Sequence, residues 1–142
     1  NSMKTIQTVE EIKNYIRMLL KKIIGVRDTI SGRRYSDIIE IAKDQIRKTY
    51  MSDEISLNTV AAEVGMSPSY FSSIFSKEMG KTFVEYLTEI RMDRAKELLM
   101  CSSMKTSEIG YEVGYKDPHY FSYIFKKTQN CTPKEFRARG KE

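Results

Sequence analysis

Two stretches of this chain repeat one another. From Ala62 the sequence runs AEVGM-SPSYFSSIFSKEMGKTFVEY, and from Tyr111 it runs YEVGYKDPHYFSYIFKKTQNCTPKEF, with one residue inserted at the turn. Glu63/Glu112, Val64/Val113 and Gly65/Gly114 match before the turn. After it come Pro68/Pro118, Tyr70/Tyr120, Phe71/Phe121, Ser72/Ser122, Ile74/Ile124, Phe75/Phe125, Lys77/Lys127, Thr82/Thr132 and Glu85/Glu135. A solenoid needs about three or more stacked units to bury a continuous core, so two copies point to a duplicated functional unit.

Each copy follows one grammar. A short helix, about Leu57–Val64 and then about Ser107–Val113, ends at Gly65 or Gly114, a residue that tolerates the left-handed conformation past a helix end. After a tight turn, Ser67 or Asp117 serves as N-cap and Pro68 or Pro118 takes the first helical position, where its missing N–H leaves nothing unsatisfied. Two helices joined by a short Gly-containing turn make a helix-turn-helix, so the expected fold is all-α with two such subdomains.

The second helix of each copy divides into two faces. Phe71, Ile74, Phe75 and Met79 recur at helical spacing and face a core, as do Phe121, Ile124 and Phe125. The outward face of the first carries Ser69, Ser72, Ser73 and Ser76; that of the second carries His119, Ser122, Tyr123 and Lys126. Short polar side chains let a helix approach base edges in a major groove. A solvated surface would look alike in one copy; two copies with matched caps favour recognition. Lys77 and Lys127, near the helix ends, and Lys126 are placed to meet phosphate, the first two equally to complement the helix dipole. Tyr70 and Tyr120 are expected at the edges of the core.

A long helix joins the copies. Thr82 and Glu85 have capping-box spacing, and Phe83, Leu87, Ile90, Leu98 and Leu99 supply an apolar stripe up to Met100. Its length is roughly 27 Å, against about 34 Å for one turn of B-DNA, so helices at its two ends can address successive major grooves. A second capping box, Thr132 and Glu135 with Pro133, opens a closing helix bearing Phe136, Arg137 and Arg139. Arg91 and Arg94 on the spacer are expected in intramolecular pairs.

The stretch SLNTVAAEVGMSPSYFSSIFSKEMGKTFVEYLTEIRMDRAKELL, with SEIGYEVGYKDPHYFSYIFKK and TPKEFR, resembles the AraC/XylS family of transcriptional regulators, from about Tyr35 to Arg139. The resemblance implies a seven-helix domain that binds asymmetric DNA sites as a bipartite unit. Bases would be read from Ser69, Ser72 and Ser73 in the first unit and from His119, Ser122 and Tyr123 in the second. Many relatives place Arg, Gln or Trp where the first helix here has serines, and serine discriminates bases weakly. Phosphate and shape reading, with Ser76 and Lys77 as contacts beside Lys126 and Lys127, are then expected to weigh more in the first unit. Partners implied are double-stranded DNA and RNA polymerase, in the bacterial cytoplasm. The arrangement resembles the output domain of a two-component response regulator, an activator preceded by a receiver.

Residues 1–34 read as a helical linker. Thr8 and Glu11 have capping-box spacing, and Val9, Ile12, Ile16, Leu19, Ile23, Val26 and Ile30 form a heptad seam that Ser31-Gly32 is expected to end. The seam fits a homodimeric coiled coil and equally a face packed within one protein. Residues 35–142 then form the double helix-turn-helix domain: first unit about 35–81, linker helix 82–100, second unit 101–142. A first helix over 36–50 is expected with Ser36 as N-cap and Ile38, Ile41, Ala42 and Ile46 inward. Asn1-Ser2-Met3 reads as a cloning remnant, with the natural protein extending further N-terminally.

Charge is informative only locally. The net charge is +5, yet residues 1–50 hold 11 Lys+Arg against 6 Asp+Glu, and residues 51–142 hold 13 against 13. Only 116–141 is clearly basic. That neutrality and the heptad seam favour one alternative, a helical protein-interaction module without DNA contact. No run is long and apolar enough for a membrane span. Cys101, Cys131 and His119 give no zinc-ligand spacing, and both cysteines read as small buried hydrophobes in a reducing cytosol. No nucleophile–base set or phosphate-cradling loop is present. Neither an enzyme nor a cofactor, metal or small-molecule ligand is expected for this fragment.

Overall fold

The structure, a computed structural model, describes residues 3–24 and 28–140, with side chains over 8–19 and 34–140. The helices are α1 (Met3–Ile24), α2 (Asp28–Thr49), α3 (Leu57–Glu63), α4 (Pro68–Met79), α5 (Phe83–Cys101), α6 (Thr106–Glu112), α7 (Pro118–Gln129) and α8 (Pro133–Gly140), and no strand occurs among the described residues. The chain divides into two compact parts, an N-terminal one of Asn1–Ile38 and a C-terminal one of Ile39–Glu142.

In the N-terminal part the helix begins earlier and ends earlier than its sequence signals predict. α1 starts at Met3, so Thr8 lies inside it rather than capping it, and it ends at Ile24, just before Gly25. Ser31-Gly32 does not stop a helix: α2 runs through it, and Ser36 is an interior residue. A glycine inside a helix costs about 1 kcal/mol, which a long helix absorbs, so a Ser-Gly pair is a weaker stop than a turn sequence. Of the heptad positions, Val9, Ile12, Ile16 and Leu19 lie on α1 and are exposed. Val26 lies outside the described residues, as do the side chains of Ile23 and Ile30.

The C-terminal part holds two aromatic cores, one for each helix-turn-helix unit. In the first, Ile39, Ala42 and Ile46 of α2 are buried with Val60, Ala61, Phe71, Ile74, Phe75, Phe83 and Leu87. The inward stripe of α2 is therefore 39-42-46, whereas Ile41, predicted inward, is 59% exposed and Ile38 half-buried. Three isoleucines within four residues, Ile38, Ile39 and Ile41, let the periodicity be drawn out of phase. In the second core Met92, Ala95, Leu99, Ile109, Val113, Tyr115, Phe121, Phe125 and Cys131 are buried together. Cys101, predicted buried, is exposed at the end of α5.

The duplication is visible in the rings. Phe71–Phe75 and Phe121–Phe125 have centroids 5.6 and 6.0 Å apart, and Phe75–Tyr86 and Phe125–Phe136 meet edge-on at 5.6 and 5.7 Å. α8 is thus the counterpart of the first turns of α5, each opened by a complete capping box, Thr132/Glu135 and Thr82/Glu85. Burying each aromatic ring contributes roughly 1.5–3 kcal/mol, as does each of the large aliphatic side chains packed around it.

α5 joins the cores along one row. Phe83, Leu87, Arg91, Ala95 and Leu99 are all buried at steps of four residues. At 100° per residue each step turns the row by about 40°, so it winds round α5 from the first core to the second. Arg91 occupies its centre, 8% exposed. Its Nε donates to the carbonyl of Tyr50 (2.8 Å) and its Nη2 to that of Ser52 (2.9 Å), both in the segment after α2. On the other side the guanidinium lies 4.8 Å over the ring of Tyr115. Burial pushes the Tyr115 hydroxyl above its ordinary range, and the charge of Arg91 opposes that rise. Near the end of α5, Arg137 of α8 plays a comparable part, donating to the carbonyls of Leu99 and Ser102. Arg94 pairs with Glu97 on the surface.

Candidate nucleic-acid interface

The two turns that present α4 and α7 have the same hydrogen bonds. After α3, Met66 N–H donates to Ala61 and Gly65 N–H to Ala62, with Gly65 at φ +72°; after α6, Tyr115 N–H donates to Gly110 and Gly114 N–H to Tyr111, with Gly114 at φ +112°. Both pairs form a Schellman motif, which satisfies the last carbonyls of the helix and reverses the chain in three residues. A glycine is needed at each because φ is positive.

α4 and α7 then start alike. Ser67 accepts from Tyr70 N–H (3.2 Å), and Asp117 accepts from His119 N–H (2.9 Å), each followed by proline. They also end alike, in left-handed caps at Gly80 and Asn130, the latter the one described non-glycine residue with positive φ. Fixed at both ends and pinned beneath by two phenylalanines, each helix presents a defined outward face.

Equivalent positions differ by 50 in number, which makes the faces directly comparable. Ser69 and His119 are exposed, Ser72 and Ser122 half-buried, and Ser73 and Tyr123 exposed, Tyr123 at 58%. Ser76, half-buried, faces Lys126, exposed, across the repeat; Lys77 and Lys127 are both exposed. None of the ten predicted contact residues is buried against protein. The first face offers hydroxyls and one lysine. The second offers an imidazole, a phenol, a hydroxyl and two lysines, with Lys127 5.8 Å from the Tyr123 ring centroid. Lys126 lies with Arg139 near Glu135, whose carboxyl is held below its usual range by hydrogen bonds from Thr132 and, more weakly, by those two cations.

Tyr70 and Tyr120, expected at core edges, are 37% and 52% exposed, as an edge position allows. Three features were not anticipated. Tyr120 stands between Tyr115 and Tyr123, with centroids 5.9 and 6.3 Å away, so an aromatic row leads from the core to the outward face of α7. The i, i+3 spacing of Tyr120 and Tyr123 carried that signal. Arg91 bonds backbone carbonyls and a ring instead of a carboxylate, which no local pattern reveals. Lys116, the residue inserted in the second copy, reaches Asp53 at 3.7 Å.

Two capped, outward-facing helices at the ends of one 19-residue helix define a double helix-turn-helix module of the kind that reads duplex DNA. Residues 60–139 match the family described as "Helix-turn-helix domain". An HTH-type transcriptional regulator from Pseudoalteromonas carrageenovora is 37% identical over 100 residues, covering 70% of this chain and 58% of the relative. The C-terminal domain of AraT, a response regulator from Geobacillus stearothermophilus, superposes with a TM-score of 0.70 at 36% identity, covering 72% of this chain and 84% of that one. The C-terminal domain of the two-component response regulator yesN from Fusobacterium nucleatum gives 0.68 at 35%, covering 69% and 95%. The chain belongs to the AraC-type family of helix-turn-helix transcriptional regulators. It spans 58%, 21% and 17% of the length of three of the curated relatives it matches. Among the described residues no helix is long and apolar enough to cross a membrane.

Proposed function

We propose that this chain is the DNA-reading module of a transcription regulator, with α4 and α7 entering successive major grooves on one face of the duplex. The observation that carries this reading is the pair of equivalent polar faces, each on a helix with a side-chain N-cap, a proline and a left-handed C-cap, set at the two ends of α5, whose roughly 28 Å approaches one turn of B-DNA. Ser69, Ser72, Ser73, His119, Ser122 and Tyr123 meet base edges; Ser76, Lys77, Lys126 and Lys127 meet phosphates. Tyr123 offers a large planar surface and a hydroxyl, so the second unit supplies most base discrimination and most charge neutralisation. The serine face of α4 follows groove shape and backbone.

The module works within a longer cytoplasmic protein. Likeness to response-regulator output domains supports a receiver upstream and an activating role through RNA polymerase. The exposed seam of α1, with Val9 and Ile16 at one heptad position and Ile12 and Leu19 at the other, fits pairing with a second copy of the chain. Ile12→Glu with Ile16→Glu then leaves a chain that is monomeric by light scattering while DNA retention by a single module persists.

The reading is tested by selecting duplexes from a random pool and titrating the best of them at two salt concentrations. Affinity is expected to fall steeply with salt, log K against log salt having a slope of about −0.9 for each phosphate neutralised. Binding indifferent to both sequence and salt overturns it.

A further inference from the structure

We propose that Arg91 is a positioning residue for DNA recognition, fixing α7 relative to α4 and thereby setting the half-site spacing that the chain accepts. The inference rests on the bipartite DNA reading above and adds to it the element that makes the spacing exact.

The connecting helix is packed into a core at each end, so bending or twisting of the stretch between them changes the angle between the units. Arg91 braces that stretch. It stands eight residues from Phe83, in the first core, and eight from Leu99, in the second. From that midpoint it holds the carbonyls of Tyr50 and Ser52, which follow α2, and the ring of Tyr115, which belongs to the turn before α7. This buried cation donates to two backbone carbonyls. Such a group has direction as well as charge, since the guanidinium donates in a fixed plane where an ammonium acts as a point.

The two turn glycines locate the junction independently. A Cβ on Gly65 would meet nothing within 4 Å, whereas one on Gly114 would lie 2.7 Å from Arg91 Nη2 and 2.7 Å from the Tyr50 carbonyl. The second turn is therefore closed against the first unit, and the first turn is open. The only insertion separating the two copies, Lys116, reaches across the same junction to Asp53. The repeat departs from symmetry where the units meet.

One base pair added between half-sites moves the second by about 3.4 Å and about 34°. A pair of readers held by Arg91 registers that shift, and a released pair follows it. The test measures affinity for a selected site and for derivatives with one base pair inserted or removed between half-sites. Wild type is expected to lose about tenfold or more on either derivative, and Arg91→Lys to stay within about threefold. Tyr115→Leu, which removes the ring beneath the guanidinium, provides a second variant should Arg91→Lys not fold. Spin labels at Glu78→Cys and Lys134→Cys, in a Cys101→Ser background, supply a readout free of DNA: a narrow distance distribution that broadens in either variant. Spacing discrimination and distance distributions equal to wild type in a folded variant overturn the inference. A wild-type chain that binds its site but ignores spacing overturns it alone, whereas one without salt-dependent, sequence-selective binding removes the DNA reading as well.

Discussion

The two helix-turn-helix units share a backbone and differ in what the backbone carries. Both turns are Schellman motifs, both second helices begin with a cap and a proline, and both cores rest on phenylalanines four residues apart. Yet the first unit turns outward a row of serines behind an open turn, and the second turns outward His119, Tyr123 and two lysines behind a turn closed on Arg91. Ala61, in α3, is replaced at the equivalent place in α6 by Gly110, where a Cβ would stand 3.0 Å from the Phe121 ring. The phenylalanine pairs are kept through the duplication, whereas the contact between the paired helices is adjusted at Ala61/Gly110. The larger divergence falls on the outward face and on the surface between the two helix-turn-helix units.

The sharpest way to break this comparison is at the turn glycines. Gly65→Ala forces a left-handed alanine into open space and is expected to cost about 1–2 kcal/mol. Gly114→Ala adds contacts at 2.7 Å with a backbone carbonyl and a buried guanidinium, at a φ of +112° that side chains rarely adopt, and should cost about 3 kcal/mol or more. Urea unfolding midpoints of the two variants measure the difference. Equal losses would mean that the junction yields easily, and the closed-turn picture would fail with them.

Next in size is the contrast between the outward faces. Tyr123→Ala is expected to weaken binding to a selected site by about 1–3 kcal/mol, while Ser73→Ala, at the equivalent position, changes it by about 0.5 kcal/mol or less. Lys126→Ala should lower the salt slope by about one and Ser76→Ala leave it unchanged. These are equilibrium titrations, and a larger loss at Ser73 than at Tyr123 would transfer base reading to the first unit.

The repeat made the double helix-turn-helix legible before any coordinate, because its punctuation is local: Gly65 and Gly114 end helices, Ser67-Pro68 and Asp117-Pro118 start them, and Thr82/Glu85 starts α5. The outward faces were legible for the same reason, since helical period alone separates Ser69, Ser73, His119 and Tyr123 from Phe71, Phe75, Phe121 and Phe125. Where signals were weaker than packing, sequence failed. Ser31-Gly32 looked like a stop but is accommodated within α2, and Ile41 looked buried until Ile39 proved to hold that place. Cys101 looked like a core residue because cysteine usually is one, but the end of α5 leaves it in solvent. Arg91 was beyond reach for a different reason. Its partners are backbone carbonyls about forty positions away, and any residue type supplies a carbonyl.

The smallest expected effect concerns the capping boxes that open α5 and α8. Glu85 and Glu135 both sit below the ordinary carboxyl value of 4.5, chiefly because each accepts hydrogen bonds from its N-cap threonine. A carboxyl with a depressed value in the fold favours the folded state once ionised. Each therefore contributes stability above the unfolded value, and that contribution disappears as pH falls through the folded one. Glu85→Gln and Glu135→Gln should each flatten the acid limb of a plot of urea midpoint against pH while leaving the slope near neutrality unchanged. The two boxes part company over salt. Glu85 draws its Coulombic help from Lys81 alone, whereas Glu135 draws it from Lys126 and Arg139, and such exposed charges are screened within about 10 Å at 0.1 M salt. Added salt should thus shrink the Glu135→Gln effect more than the Glu85→Gln effect. Duplex binding, by engaging Lys126, should do the same, and an equal response of both variants to salt would remove Lys126 from the surroundings of Glu135 and weaken its assignment to phosphate.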